Sequence, residues 1–185
     1  KRAYKLSCMT DVVDDLNIEL NYNTDFTEKK LPHGLYSKSF AISDFITEAD
    51  LIINLPKLKT HGFTMYSGAV KNMFGAVPGL IKGEYHLKMS RVEDFSHMLL
   101  DLEELASPTL SIMDAVVGME GEGPTGGNPR QFGYLLASTS SLALDIAGLK
   151  VMGIDDMGSV PLISAAVDRD LISDIRDIKI VGDSI

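Results

Sequence analysis

The chain has 185 residues and a mass of 20.1 kDa, with 45% hydrophobic and 23% charged residues, the make-up of an ordinary globular domain. Its net charge of -9 argues against general nucleic-acid binding, and no run of about 18 apolar residues is present to span a membrane as a helix. A lone cysteine, Cys8, excludes a disulfide framework and any all-cysteine metal or iron–sulfur site within these residues, and it fits a reducing, cytoplasmic setting.

In chain order, Asp11 to Leu16 predicts a short helix behind a Thr10 cap. Residues 17–30 are polar and read as irregular, and Pro32-His33-Gly34 as a turn. Lys38 to Ile42 predicts a strand, after which Ser43 can cap a short helix over 44–49. The run Leu51-Ile52-Ile53-Asn54-Leu55 reads as a buried strand. Pro56, which lacks a ladder donor, ends it, so Lys57 to Gly62 is expected at or just beyond the strand end. Apolar positions 69, 70, 73, 74 and 77 have helical spacing, with Ser67 as cap and Pro78-Gly79 as stop. Residues 80–89 read as a connection. Residues 91–106 form the clearest helix, with Ser90 and Glu93 spaced as a capping box; His97 lies off its apolar stripe and is expected in solvent. Leu110 to Asp114 and Val116-Val117 predict strand, running into a loop with glycines at 118, 121, 123, 126 and 127. A strand over 133–139, a helix over 142–152 ended by Gly153, a helix over 161–167 and a last strand over 178–181 complete the chain. This alternation predicts an α/β fold, a mainly parallel sheet flanked by helices in a single layered domain over 1–185.

Charge is unevenly placed. Between Asn54 and Arg91 stand Lys57, Lys59, Lys71, Lys82, Lys88 and Arg91 against a single acid, Glu84. Lysines that converge focus field on an anion, whereas lysines that scatter are merely solvated. Lys57, Lys59, Thr60 and His61 follow a strand, where open α/β sheets place ligands, and can bind phosphate or carboxylate as point charges and hydrogen-bond donors. His61 can also serve as an acid/base or metal ligand. Lys71 and Asn72 join the same pocket if their helix packs beside that segment; otherwise Lys71 snorkels to solvent. Lys82, Glu84, His86 and Lys88 read as a lid over a bound anion or as a mobile surface loop. Asp114, Glu120 and Glu122 border the glycine loop and bridge to the lysines through Mg²⁺ or Mn²⁺, pair with the lysines directly, or simply flank a plain tight turn. Ser138 to Ser141 precede a helix and read as an N-cap. No Gly-x-Ser-x-Gly elbow or dinucleotide-type glycine motif is present, and Cys8 reads as inert.

The run Asn54-Leu-Pro-Lys57-Leu-Lys59-Thr60-His61, then Gly68-Ala-Val-Lys71-Asn72-Met-Phe-Gly75, then Gly118-Met-Glu120-Gly-Glu-Gly123-Pro124-Thr125-Gly126, resembles the Domain of Unknown Function 362 family over about residues 45–153. The resemblance points to Lys57, Lys59, His61, Lys71, Asn72, His86, Asp114, Glu120 and Asp145. It implies a ferredoxin-like module carrying two four-iron clusters elsewhere in longer members, and no established reaction. An acid is expected near Ser140, where this chain has Thr139-Ser140-Ser141. Starting at Lys1 without an initiator Met, the chain reads as part of a longer protein.

Together these residues predict a cleft for a small anionic ligand, with or without a divalent metal. His61 and Lys71 are the catalytic candidates, and Lys57, Lys59, Thr60, Asn72, Lys82 and His86 the ligand-binding ones. Asp114 and Glu120 are the candidate metal ligands. The alternative is a noncatalytic docking domain for a ferredoxin-like module, its cations serving as a landing surface.

Overall fold

The computed structural model describes residues 2–172 and 174–184. Two short helices, α1 (Arg2–Leu6) and α2 (Met9–Leu16), open the chain outside the core. The segment expected to be irregular holds a strand: β1 (Phe26–Lys30) pairs antiparallel with β2 (Ser39–Ser43). Its Thr-Glu-Lys-Lys sequence carries no inward apolar row, because β2 supplies Phe40 and Ile42 to the core instead. In α3 (Asp44–Thr47) Ser43 makes no side-chain cap; the Asp44 N–H donates to the Asp25 carbonyl.

Five strands form the main sheet: β3 (Ile53–Asn54), β4 (Lys57–His61), β5 (Met65–Ser67), β6 (Leu110–Glu120) and β7 (Asn128–Ser138). β6 is central. It runs parallel to β3 at its start and to β4 further on, and antiparallel to β7 along its other edge. β5 adds antiparallel to β4. The class is α/β as expected, with both parallel and antiparallel pairs in the sheet. Lys57–His61 is a strand rather than a loop: Leu58 turns into the core while its charged neighbours turn outward. The glycine-rich stretch contracts to a turn over 121–127, because β6 continues through Gly118 to Glu120. Gly118 stays in the strand because the Phe132 ring covers it; a Cβ there would stand 2.6 Å from that ring and 2.8 Å from the Leu58 carbonyl.

The helices are α4 (Ala69–Asn72), which tightens into a 3-10 turn over 73–76, then α5 (Gly79–Lys88), α6 (Val92–Ala106), α7 (Ser141–Val151) and α8 (Pro161–Asp168). α4 starts behind Gly68, since Ser67 still belongs to β5. Residues 80–89, expected as a connection, lie mostly within α5. The capping box does not form: α6 begins at Val92, so Glu93 sits too early to reach back, and it faces Arg91 at 3.7 Å instead. On α7 the Ser140 hydroxyl accepts from the Ala143 N–H at 3.2 Å, and Gly153 ends the helix at φ +77. The last expected strand is absent; Ile175–Asp177 form a 3-10 turn and 178–181 are irregular.

Leu58, Tyr66, Met113 and Ala115 of the sheet join a core with Val70, Phe95, Leu99, Leu102 and Leu144 of α4, α6 and α7. α8 packs on α6, which is therefore enclosed on more than one side. For that reason His97 is not in solvent; its ring stacks on Tyr36 at 4.4 Å. Buried Asp101 accepts from the N–H groups of Leu35, Tyr36 and Ser37 and pairs with Arg169. Burial raises its carboxyl, but Arg169 and these donors outweigh burial and hold it below its ordinary value. Several apolar side chains of the strands and their flanks stay outside this core: Leu51, Ile53, Leu55, Val116 and Leu135 are exposed. The 51–55 run is thus no buried strand; its one fully buried side chain is Asn54, because period two turns Ile53 and Leu55 outward.

Candidate anion-binding site

Lysines from three elements meet at the β4–β5 edge of the sheet. Lys57 and Lys59 stand on β4, Lys71 on α4 and Lys82 on α5, and they line one cavity of about 330 Å³ with Leu55, Gly68, Asn72, Phe74 and Gly75. The close approach depends on the β5–α4 junction. There Asp145, fully buried on α7, accepts from the Ala69 and Val70 N–H groups and from the Tyr66 hydroxyl at 3.1 Å. The carboxylate thereby caps a helix that its own sequence leaves uncapped. Gly68 has to be glycine: a Cβ would sit 2.2 Å from both the Asp145 carboxylate and the Tyr66 hydroxyl.

The charges are not equivalent. Lys57 pairs with Asp114 at 2.7 Å, which holds that carboxyl below its ordinary range. Among the described residues no ion pair forms to Lys59, Lys71 or Lys82. Burial, then the nearby ammonium groups of Lys59 and Lys82, bring Lys71 from 10.5 down to about 8. Burial also lowers Lys82. His61 flanks the cavity at the end of β4. Burial, then Lys71, Lys59 and His86, lower it from 6.5 to about 4. Its Nδ1 accepts from the Phe63 and Thr64 N–H groups at 3.1 and 3.3 Å, so the neutral ring carries its proton on Nε2. His86 stacks on Phe95 at 4.7 Å on the same side, lowered by burial and then by Lys71.

Asn72 completes the lining. The buried Asn54 amide donates from Nδ2 to the Ala69 carbonyl at 2.9 Å and to Ser111 Oγ at 3.1 Å. A carbonyl can only accept, which fixes Asn54 Oδ1 as an acceptor, and Asn72 Nδ2 donates to it at 2.7 Å. The Asn72 Oδ1 is then the atom left for the cavity.

Other expected residues lie apart. The Thr60 hydroxyl donates to the Gly121 carbonyl at 2.9 Å, pinning the β6–β7 turn. Lys88 faces Glu84 at 3.7 Å on the exposed side of α5. Glu120 accepts from Arg130 at 2.9 Å. Asp114 and Glu120 are six residues apart on β6, which at roughly 3.3 Å of rise per residue sets them about 20 Å apart, too far for a shared ion. Among the described residues no group of three or more His, Cys, Asp or Glu side chains gathers to hold a metal. Sequence reasoning passed over Asn54 and Gly68; a lone Asn inside an apolar run is the signal that points to the former. A larger cavity of about 560 Å³ lies between α7, α8 and the 175–177 turn, with Ile146, Ile175, Ile178 and Ile180 in its wall. There Arg176 pairs with Asp174, and Lys150 lines the wall with Asp155 and Asp156, so charges of both signs meet where the β4–β5 edge gathers cations alone.

The family model described as "Domain of unknown function (DUF362)" matches residues 1–150. The chain is 38% identical over 119 residues to the thylakoid-associated protein sll1697 of Synechocystis sp., a match that covers 64% of this chain and 37% of that protein. The chain therefore spans well under half the length of this curated relative. No solved structure matches it. Among the described residues no helix is long and apolar enough to cross a membrane.

Proposed function

The chain belongs to the Domain of unknown function (DUF362) family, which brings no reaction with it, and from the geometry of the cleft we propose that it binds a small anionic ligand. One observation carries this reading: Lys59, Lys71 and Lys82 share a cavity with no acid among the described residues paired to them. Like charges held together cost free energy that an anion relieves. Neutral His61 beside them adds a donor at Nε2, which suits a reaction centre as well as a binding site. A thermal-shift series with phosphate, nucleotides, carboxylic acids and divalent ions tests the reading, because a ligand of the folded state raises the melting temperature. Anions are expected to raise it, less so in Lys59→Gln and Lys82→Gln. No shift with any anion well above millimolar concentration overturns it.

A noncatalytic docking domain for a ferredoxin-like module is the second reading. The bare apolar residues Leu51, Ile53 and Leu55, which run up to the cations of β4, favour it.

A further inference from the structure

Lysine clusters bind anions as point charges, but a lysine that has lost its proton does something else. Lys71 stands half-buried on α4 with Lys59 and Lys82 in the same cavity, Leu55 and Phe74 among its walls, and no acid paired to it among the described residues. Loss of water and neighbours of like charge both favour the free amine. With Lys71 at about 8, its free-amine fraction at neutral pH exceeds that of an ordinary lysine by roughly two orders of magnitude. An amine activated by a second cationic group is the nucleophile that carbonyl compounds meet in imine-forming enzymes.

We propose that Lys71 condenses with the carbonyl group of a small oxo acid whose carboxylate is held by Lys59 and Lys82. The inference rests on the anion-binding reading above. The Nζ lone pair attacks the carbonyl carbon, and the carbonyl π pair moves onto oxygen. That oxygen takes up a proton while the nitrogen releases one, giving a carbinolamine. Loss of water then leaves a carbon–nitrogen double bond to Nζ. Nothing is oxidised or reduced; amine and carbonyl become imine and water. His61 stays neutral through this and offers only its Nε2–H, a fixed hydrogen-bond donor for the carbonyl oxygen. Asn72 offers Oδ1, an acceptor for the hydroxyl of the carbinolamine.

The test is reductive trapping. The full chain is incubated with glyoxylate and sodium cyanoborohydride over a pH series, and adducts are located by intact mass and peptide mapping. The expected result is a dominant adduct on Lys71, with its rate half-maximal near pH 8, and its loss in Lys71→Arg judged folded by circular dichroism. Label spread over exposed lysines, following the pH dependence of ordinary lysine, overturns the proposal. Mapping in the unsubstituted chain decides alone if the variant does not fold. Succinate, which has no carbonyl, runs in parallel by thermal shift. A succinate shift without a Lys71 adduct overturns the imine and keeps the anion site; neither signal overturns both.

Discussion

Asp145 and His61 titrate in opposite senses within one small region. Burial, against the pull of three donors, raises the Asp145 carboxyl from 3.8 to about 7. Between those values the folded chain holds a proton that the unfolded chain releases. Asp145 therefore makes stability fall as pH climbs from about 4 to about 7. His61 is depressed from 6.5 to about 4, so over most of the same window the unfolded chain binds the extra proton, and stability rises with pH. The two slopes offset each other. Asp145→Asn removes the falling one and turns an amide donor toward a backbone N–H or the Tyr66 hydroxyl. It is expected to cost about 1–3 kcal/mol at pH 7, and the remaining stability should rise with pH between 4 and 6.5. Urea unfolding across that range checks both. The residue types that line the cavity were legible: cations are bunched in one segment of the sequence, and Lys59, Lys71 and Lys82 do converge. What Asp145 does was not legible, because a carboxylate that caps a helix 76 residues away in sequence leaves no local pattern.

α5 differs from every helix packed on the sheet. It contains no fully buried residue and two glycines, yet it brings Lys82 to the cavity and His86 to Phe95. α6 is its opposite, with Phe95, Met98, Leu99 and Leu102 fully buried. Breaking α5 with Gly83→Pro should therefore weaken anion binding several-fold while the unfolding midpoint moves little. Leu99→Ala should cost about 2–5 kcal/mol and leave the affinity of the remaining folded protein unchanged. Calorimetric titration with the anion identified by thermal shift, alongside urea unfolding, separates the two. α6 was legible to within one or two residues because its apolar stripe repeats at helical spacing, and α7 because Ser140 and Gly153 mark its two ends. β4 and the glycine-bearing end of the β6–β7 hairpin, over 118–132, were not. Lys-Leu-Lys-Thr-His places one apolar side chain between charges, and glycine reads as loop unless the ring that covers it, here Phe132, is known.

Viewed whole, the molecule keeps apolar side chains outside its core. α4 and α7 pack on the sheet, while Ile53 of β3 and Leu135 of β7 remain exposed. Exposed apolar area of this kind associates with whatever apolar surface it meets. Ile53→Lys with Leu135→Lys should reduce binding of a hydrophobic dye and weaken any concentration-dependent self-association. Their effect on unfolding should stay within about 0.5 kcal/mol, as for surface positions. Alternation of strands and helices announced the α/β class, but nothing in that alternation tells which apolar strand residues stay exposed.

The locked amides of Asn54 and Asn72 carry a consequence for selectivity. Turning Asn72 round would strand the Asn54 oxygen without its donor, so the side chain greets any visitor with oxygen first. An inorganic ion bristling with bare oxygens finds welcome from the ammonium groups and a rebuff at this one spot. A guest bearing an alcohol, a hydrate or a protonated acid opposite its negative end satisfies both. On the anion-binding reading proposed above, the pocket is expected to sort its visitors by polarity along their length as well as by total charge.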